Sequence, residues 1–497
     1  PSLVKVLRDA QPGGTAQRWE LHAARNEVEA CQLVLASDEA VPGVTVSAEP
    51  LRHSRGETTL PVALHKVEYV PNVVGDTPYP DPLPPLAPFD LEPNLAQPVW
   101  ISVRVPCDAA PGSYHGNVSV RAAGKVLKLP LSLRVWDFAL PVRPSCVTAF
   151  GTGRNWIART HGIKAQSAEM DQLYPKYYEM LLDHKISAYT IPADLMSDEA
   201  AQYLDDPRMT SFRLPYPGDD ETLKALVTRV IERGWFSKGY FYPLDEPVNE
   251  DAYDRLAAMC ERLRQAEPRY RIVTPFHTNP NFGEKLTPFD LMLGKVNIWC
   301  ANTGYFDAEP TARARLAARK NVGEELWWYV CCGPGAPYNN FFVDMPGMSH
   351  RLLFWQQKRE GVEGLLYWNT TYWNPDRGCD DPWETMMTVK NINPALRGDG
   401  SLLYPGKKVG VDGPVSSQRL EIIRDGIEDF EYLTLAEQWL GRDATGECVR
   451  QICTSLREWE HDPAKLEQVR RELGAALEKA ALARPAPCGS HASVAKR

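Results

Sequence analysis

The stretch GYFYPLDEPVNEDAYDRL, residues 239–256, changes character in its middle. Residues 239–244 are apolar and aromatic, Asp245-Glu246-Pro247 interrupts them, and from Asp251 the apolar residues fall at helical spacing. A short strand that delivers polar residues straight into a helix is the repeating unit of a parallel α/β fold. In a closed barrel of such units, the C-terminal strand ends carry the active site.

The same rhythm extends outward on both sides. Strands are expected at 146–151, 186–191, 271–276, 296–300, 325–331 and 364–368, and helices at 168–184, 222–233, 251–266, 311–320 and 349–359. With 239–244 this makes seven strands, so a (β/α)8 TIM-type barrel over 142–400 fits better than an open sheet, with one strand missing from the count. Residues 1–141 read instead as a β-sandwich of antiparallel strands, from short alternating runs such as 28–35, 99–105 and 126–135 between Gly, Pro and Asp clusters. The proline-dense run at 71–98 is expected as a surface loop or as an arm on a neighbouring domain, because a central strand cannot use so many residues lacking an N–H. Residues 401–497 read as a helical extension packed on the barrel, with helices at 416–440, 447–459 and 463–482. The fold class is therefore a multidomain β plus α/β chain.

Composition narrows the function. The 497 residues are 43% hydrophobic and 24% charged, with a net charge of −9. This suits a globular protein and disfavours nucleic acid or an anionic membrane as partner. No run approaches the roughly 18 apolar residues of a spanning helix, so no membrane insertion is expected. The chain begins at Pro1, and a secreted or periplasmic location is expected if a leader was removed. Eleven cysteines occur without zinc spacing. They read mostly as buried thiols, with disulfides conceivable at Cys331-Cys332 and at Cys448/Cys453. Metalloprotease, Walker, dinucleotide and serine-elbow motifs do not occur in a fitting context, and no metal or organic cofactor is expected.

Asp245 and Glu246 are the leading candidates for chemistry, although the same residues could simply open a helix, where carboxylates and proline are favoured. Ordinary glycosidases need two carboxyl groups on opposite sides of the scissile bond, which sequence neighbours cannot easily supply. Neighbours can serve a substrate-assisted reaction, in which the sugar's 2-acetamido oxygen attacks C1 while one carboxylate orients the amide and the other protonates the leaving oxygen. Many of the 14 tryptophans fall at expected strand ends, where flat faces beside polar tips suit sugar rings. Tyr367, Asn369, Trp373, His277 to Asn279 and Arg154 with Asn155 lie where strand-to-helix loops would begin. Core packing is the alternative for each. The motif at 423–433, IRDGIEDFEYL, is expected to be structural, its carboxylates pairing with Arg419 and Arg424.

Several long motifs resemble glycoside hydrolase family 123 and its relatives. They include LHAARNEVEACQLVL, VPCDAAPGSYHGNVSV, LLDHKISAY, FYPLDEP and the run from WWYVCCGPG through GDGSLLYPG to IEDFEYL. The resemblance covers most of the chain and implies a sandwich joined to a catalytic barrel. The activity it implies is that of an exo-acting β-N-acetylgalactosaminidase retaining configuration through an oxazolinium intermediate, on a glycan, glycoside or glycolipid. It maps the amide-orienting carboxylate onto Asp245 and the acid/base onto Glu246. Tyr329 would donate to the acetamido oxygen, and Trp299 and Trp368 would wall the sugar pocket. Two other readings remain: a retaining glycosidase with Glu246 as acid and Glu325, Asp376 or Asp381 as a distant nucleophile, and a non-catalytic carbohydrate-binding protein. Oligomeric state, linkage and preference between galacto and gluco sugars are left open.

Overall fold

The computed structural model describes residues 1–11, 19–277, 287–386 and 397–483, so Thr278 and Asn279 lie outside the described residues. The chain is a mixed α/β multidomain protein with a β-rich N-terminal region and a helical C-terminal part.

In the N-terminal region a seven-stranded sheet runs in the order Trp19–Arg25, Lys125–Ala139, Gly112–Ala122, Val41–Ala48 and Phe89–Leu91, with two short strands beside this path. A three-stranded sheet holds Glu27–Leu35, Gln97–Val105 and Val62–Lys66. Val44, Val118 and Leu133 of the first sheet share one apolar core with Leu33, Ile101 and Val103 of the second. The pairing is not wholly antiparallel as expected: Trp19–Arg25 runs parallel to Lys125–Ala139.

The proline-dense stretch is an arm rather than a surface loop. It forms short strands, of which Pro82–Leu83 pairs with Pro414–Ser417 far along the chain. The Asp81 carboxylate accepts hydrogen bonds from Arg419 at 2.8 Å and from the Tyr404 hydroxyl at 2.6 Å, and all three side chains are buried.

Between Val147 and Tyr367 the named strands pair in parallel. Val147–Phe150, Gly364–Tyr367, Glu325–Val330, Ile298–Asn302 and Val273–Phe276 are neighbours in that order, and Phe212–Leu214 pairs with Gly239–Phe241. Backbone bonds link the two groups: Tyr189 N to Phe150 O at 2.7 Å, Arg213 N to Tyr189 O at 2.8 Å, and Phe241 N to Arg271 O at 2.8 Å. Each segment thus bonds to the next, and the last returns to the first. The strand expected at 186–191 is not one, because only Ala188 forms a bridge there. The segment missing from the sequence count is Phe212–Leu214, three residues with an arginine in the middle, too short for periodicity to register.

Alternation along the parallel strands sorts their side chains into two cores. Ala149, Tyr189, Tyr240, Val273, Cys300, Trp327, Tyr329 and Leu366 meet on one face, whereas Phe150, Phe212, Phe276, Trp299 and Trp328 meet the surrounding helices. Both faces are buried, which explains the nearly continuous apolar strands. Gly364 is required by this packing: a Cβ there would lie 2.4 Å from the Trp327 ring.

Toward the C-terminus, Gln418–Trp439 is capped by Ser417, which accepts from Leu420 N at 3.1 Å. The helix expected at 447–459 is displaced: it spans Arg442–Arg450 and gives way to turns. The helix Pro463–Leu482 packs on the N-terminal sheet as well, through Arg134 to Glu478 at 2.8 Å. Among the described residues no helix is long and apolar enough to cross a membrane.

Candidate active site

The strand Gly239–Phe241 ends just before Tyr242, and the next helix, Glu250–Ala266, starts only after Asn249, whose side chain accepts from Ala252 N at 2.9 Å. Asp245 and Glu246 therefore lie on the connecting loop and do not open the helix. Glu246 holds a φ of 36°, in the left-handed region that costs an L-residue roughly 1–2 kcal/mol. Backbone strain of this kind clusters at active sites, ligand clamps and switch regions.

Each carboxylate is met by a tyrosine. Tyr242 donates to Asp245 Oδ1 at 2.5 Å, and Tyr329, from the strand Glu325–Val330, donates to Glu246 Oε1. Burial, reinforced by the Glu246 charge, pushes the Tyr329 hydroxyl well above its usual range. Burial, Tyr189 and Asp245 do the same for Tyr242. Both phenols stay protonated and serve as donors. No lysine or arginine pairs with either carboxylate among the described residues. Asp245 is exposed and Glu246 half-buried, so both reach solvent at the rim.

Trp368 and Asn369 follow the neighbouring strand Gly364–Tyr367. The half-buried Trp368 indole donates to Asp399 Oδ2 at 3.0 Å and meets the Tyr372 ring with centroids 4.6 Å apart. Asn369 spends its amide oxygen on Thr370 N and Thr371 N, both at 2.9 Å. Asp399 is buried, and burial lifts its carboxyl to about 6 despite donation from Trp368 and Tyr367. It fits beneath Trp368 because Gly400 has a φ of 71° and no Cβ, which would lie 2.4 Å from the indole.

Other expected residues sit elsewhere. Trp299 faces the helices, stacked on Phe289 at 4.3 Å with its indole donating to Glu324 at 2.5 Å. The strand's alternation turns it away from Tyr329, so it does not wall the site. Tyr367 also faces outward, against Phe150 and Phe341, and donates to Asp399 at 3.0 Å. Trp373 is buried against Tyr177 and donates to Ser401 at 3.0 Å. Arg154 starts a helix, bonds Ala165 O at 2.8 Å and pairs with Asp171, which makes it a local tie. His277 is half-buried just past Val273–Phe276.

The rival nucleophiles are engaged or remote. Glu325 begins its strand, and Arg271 grips both its oxygens at 2.6 and 2.7 Å. Four residues at about 3.3 Å each put it roughly 13 Å along the strand from Tyr329. Asp381 caps Trp383 N at 2.9 Å and pairs with Lys408 at 3.1 Å. Asp376 is exposed on a 3-10 turn, Pro375–Arg377. No three His, Cys, Asp or Glu side chains gather in a metal-holding group among the described residues.

Three residues at the rim escaped the sequence reading. Tyr242 was read as a strand aromatic, and Asp399 was hidden in GDGS, although an acid between two glycines signals a backbone that must approach something closely. Arg213 sits between the outward-facing Phe212 and Leu214, so its side chain is on the inner face, 5.5 Å over the Tyr189 ring.

With this geometry in hand, comparison with known proteins gives a consistent answer. The model of the glycoside hydrolase 123 catalytic domain matches residues 155–436, and that of the glycoside hydrolase 123 N-terminal domain matches residues 6–122. Among solved structures, a family 123 glycoside hydrolase from Clostridium perfringens, studied for glycolipid glycan hydrolysis, aligns with a TM-score of 0.69 at 14% identity, covering 93% of each chain. A Parabacteroides merdae β-glucuronidase gives a TM-score of 0.30 at 10% identity, covering 78% of this chain and 52% of that one. A putative β-galactosidase from Bacteroides fragilis gives 0.32 at 12% identity, covering 82% and 60%. These two likenesses are too distant to carry weight. A search of curated protein sequences finds no match. The matched domains account for most of the sequence, and the chain belongs to glycoside hydrolase family 123.

Proposed function

We propose that this glycosidase removes terminal β-linked N-acetylgalactosamine with retention, using the substrate's own acetamide as nucleophile. The observation that carries the reading is the adjacency of Asp245 and Glu246 on one strained loop, each held by a tyrosine and, among the described residues, neither by a cation. Consecutive residues cannot easily place one carboxyl as nucleophile and the other as acid on opposite sides of the scissile bond, so the substrate's own amide is the nucleophile that fits this pair.

In this reading Asp245, steadied by Tyr242, accepts the acetamido N–H and aims the amide oxygen at C1. That oxygen bonds C1 as the glycosidic C–O bond breaks, and Glu246 passes its proton to the departing oxygen. Water then gives a proton to Glu246 and attacks C1, opening the oxazolinium ring and restoring both acetamide and acid. Two inversions at C1 give net retention. Tyr329 donates to Glu246 in the free site, and its persistently protonated hydroxyl can turn to the acetamido oxygen when substrate arrives. Trp368, braced by Asp399, forms an aromatic wall. The ring of parallel segments is read as a (β/α)8 barrel over 142–400, preceded by a β-sandwich over 1–141 and followed by helices over 401–497.

The test is a set of aryl β-glycosides differing at C2 and C4. The 2-acetamido-galactoside should be the best substrate, and a thiazoline mimic of the intermediate should inhibit strongly. Equal rates on a substrate with a plain 2-hydroxyl, or covalent labelling of a carboxylate by a fluorosugar, would replace this mechanism with an ordinary two-carboxylate one.

A further inference from the structure

Cys331 and Cys332 follow the strand Glu325–Val330 at the rim that carries Asp245 and Glu246, and the function proposed above leaves both unused. They are free thiols, as are Cys448 and Cys453. The two sulfurs stand 3.7 Å apart, Cys331 half-buried against the inner cluster and Cys332 exposed. Cys331 lies two residues beyond Tyr329, on the same face of the chain. Its main chain is braced, with Cys331 N bonding Gly333 O at 3.1 Å and Asn340 Nδ2 bonding Cys331 O at 2.9 Å. Donation from the Cys331 thiol lowers the pKa of Cys332 and raises that of Cys331, so the exposed sulfur is the better thiolate. Burial and the Asp399 and Glu246 charges oppose that lowering at Cys332, and the Glu246 contribution places the pair within electrostatic reach of the candidate acid.

We propose that Cys331 and Cys332 form a thiol modification site that a small disulfide, such as oxidised glutathione, closes into a vicinal disulfide, and that closure lowers the activity of the neighbouring carboxylate pair. The Cys332 thiolate attacks one sulfur of the small disulfide, a mixed disulfide forms and one small thiolate leaves. Cys331 then gives up its proton, attacks the Cys332 sulfur and expels the second small thiol. Two protein thiols are oxidised and one small disulfide is reduced to two thiols.

Closure must bring the sulfurs from 3.7 Å to about 2 Å. Consecutive Cα atoms are only ~3.8 Å apart, short of the usual ~4.4–6.8 Å disulfide span, so the ring is strained and easily reopened. It is therefore a switch rather than a staple. Its strain falls on the end of the strand that carries Tyr329, and misplacement of a catalytic group by about 1 Å costs up to ~100-fold.

The site itself does not depend on the activity assigned above; only the kinetic consequence rests on that reading. The full chain is equilibrated in glutathione buffers of increasing oxidised fraction, quenched with an alkylating reagent, and read by peptide mass and by kcat/KM on the aryl 2-acetamido-galactoside. The peptide holding Cys331 and Cys332 is expected to lose the mass of two hydrogens while kcat/KM falls about 10- to 100-fold, both restored by dithiothreitol. Exposed Cys107 is an internal comparison, since a mixed adduct there adds mass. Cys332→Ser and Cys332→Ala should keep full activity in every buffer. A peptide that never closes, or one that closes with kcat/KM unchanged, overturns the proposal. Inactivity of the reduced enzyme on the aryl substrate would instead count against the assigned function, with the mass readout still deciding the site.

Discussion

Two sets of carboxylates in this molecule are chemically alike and differently housed. Along the helix Gln418–Trp439, Glu421, Asp425, Glu428, Asp429 and Glu431 are buried and committed. Glu421 takes His184 at 2.8 Å, Asp425 takes Arg424 at 3.0 Å, and Glu428 takes Val28 N at 3.2 Å. Asp429 takes Arg351 at 2.6 Å and Arg470 at 2.7 Å, while Glu431 takes Ser145 N at 2.7 Å. On the loop after Gly239–Phe241, exposed Asp245 and half-buried Glu246 have, among the described residues, phenols as their side-chain partners. A carboxylate enclosed by cations and backbone donors is shut away from any substrate. One held by a single hydroxyl is oriented and still free to react. Partner type and exposure, rather than the number of acidic residues, separate the scaffold carboxylates from the pair proposed to carry the chemistry.

The sharpest way to break this contrast is to neutralise the exposed pair. Asp245→Asn and Glu246→Gln should each lower kcat/KM on the aryl 2-acetamido-galactoside by about 10²–10⁴ with unchanged thermal unfolding, and Glu246→Gln should recover most with an acidic leaving group. Retained turnover in either variant would sink the assignment. The buried set should behave oppositely. Asp429→Ala takes from Arg351 and Arg470 the buried carboxylate they share, leaving Glu467 to the one and Glu27 with Glu29 to the other, a loss of about 3 kcal/mol in denaturant unfolding, while the fraction still folded keeps its KM.

Asp399 stands between the two classes and should show it in pH dependence. Burial holds its carboxyl at about 6, above the ~3.9 of a free aspartate. The protonated form is the one the fold favours, so its contribution is complete below about pH 4 and lost as pH rises through about 6. Asp399→Asn should flatten that part of the stability profile by on the order of 2 kcal/mol, seen as a difference between the two unfolding curves at pH 4 and 7. The smallest effect is expected at Trp299. Trp299→Phe removes its bond to Glu324, costs about 1 kcal/mol, and should leave KM alone, whereas Trp368→Ala should raise it. A matching rise in KM for Trp299→Phe would return that residue to the sugar pocket.

These differences also explain what the sequence disclosed. The place of residues 245–246 between a strand and a helix was legible because strand, acid and helix are local signals. Tyr329 rested on family likeness, since nothing local says which strand faces which loop. Trp299 was misjudged because a tryptophan at a strand end reads the same whichever way it points, and alternation against Tyr329 settles the face only once pairing is known. Arg419 was expected to serve its own helix. Its partner Asp81 lies 338 residues away, in a proline run whose contacts no periodicity encodes. The helix at 447–459 was overextended because CTSLREW keeps helical spacing while the chain turns, with Cys453 bridging to Trp459.

The arm carrying Asp81 has a practical corollary for dissecting the protein. Excising the first 141 residues would remove Asp81 from Arg419, stranding that guanidinium inside what remains, and would take Glu27 and Glu29 from Arg470, leaving it only Asp429. The catalytic part would then inherit orphaned charge and bare apolar helix faces, so the natural unit for expression and engineering is the joined pair and not the hydrolytic half alone.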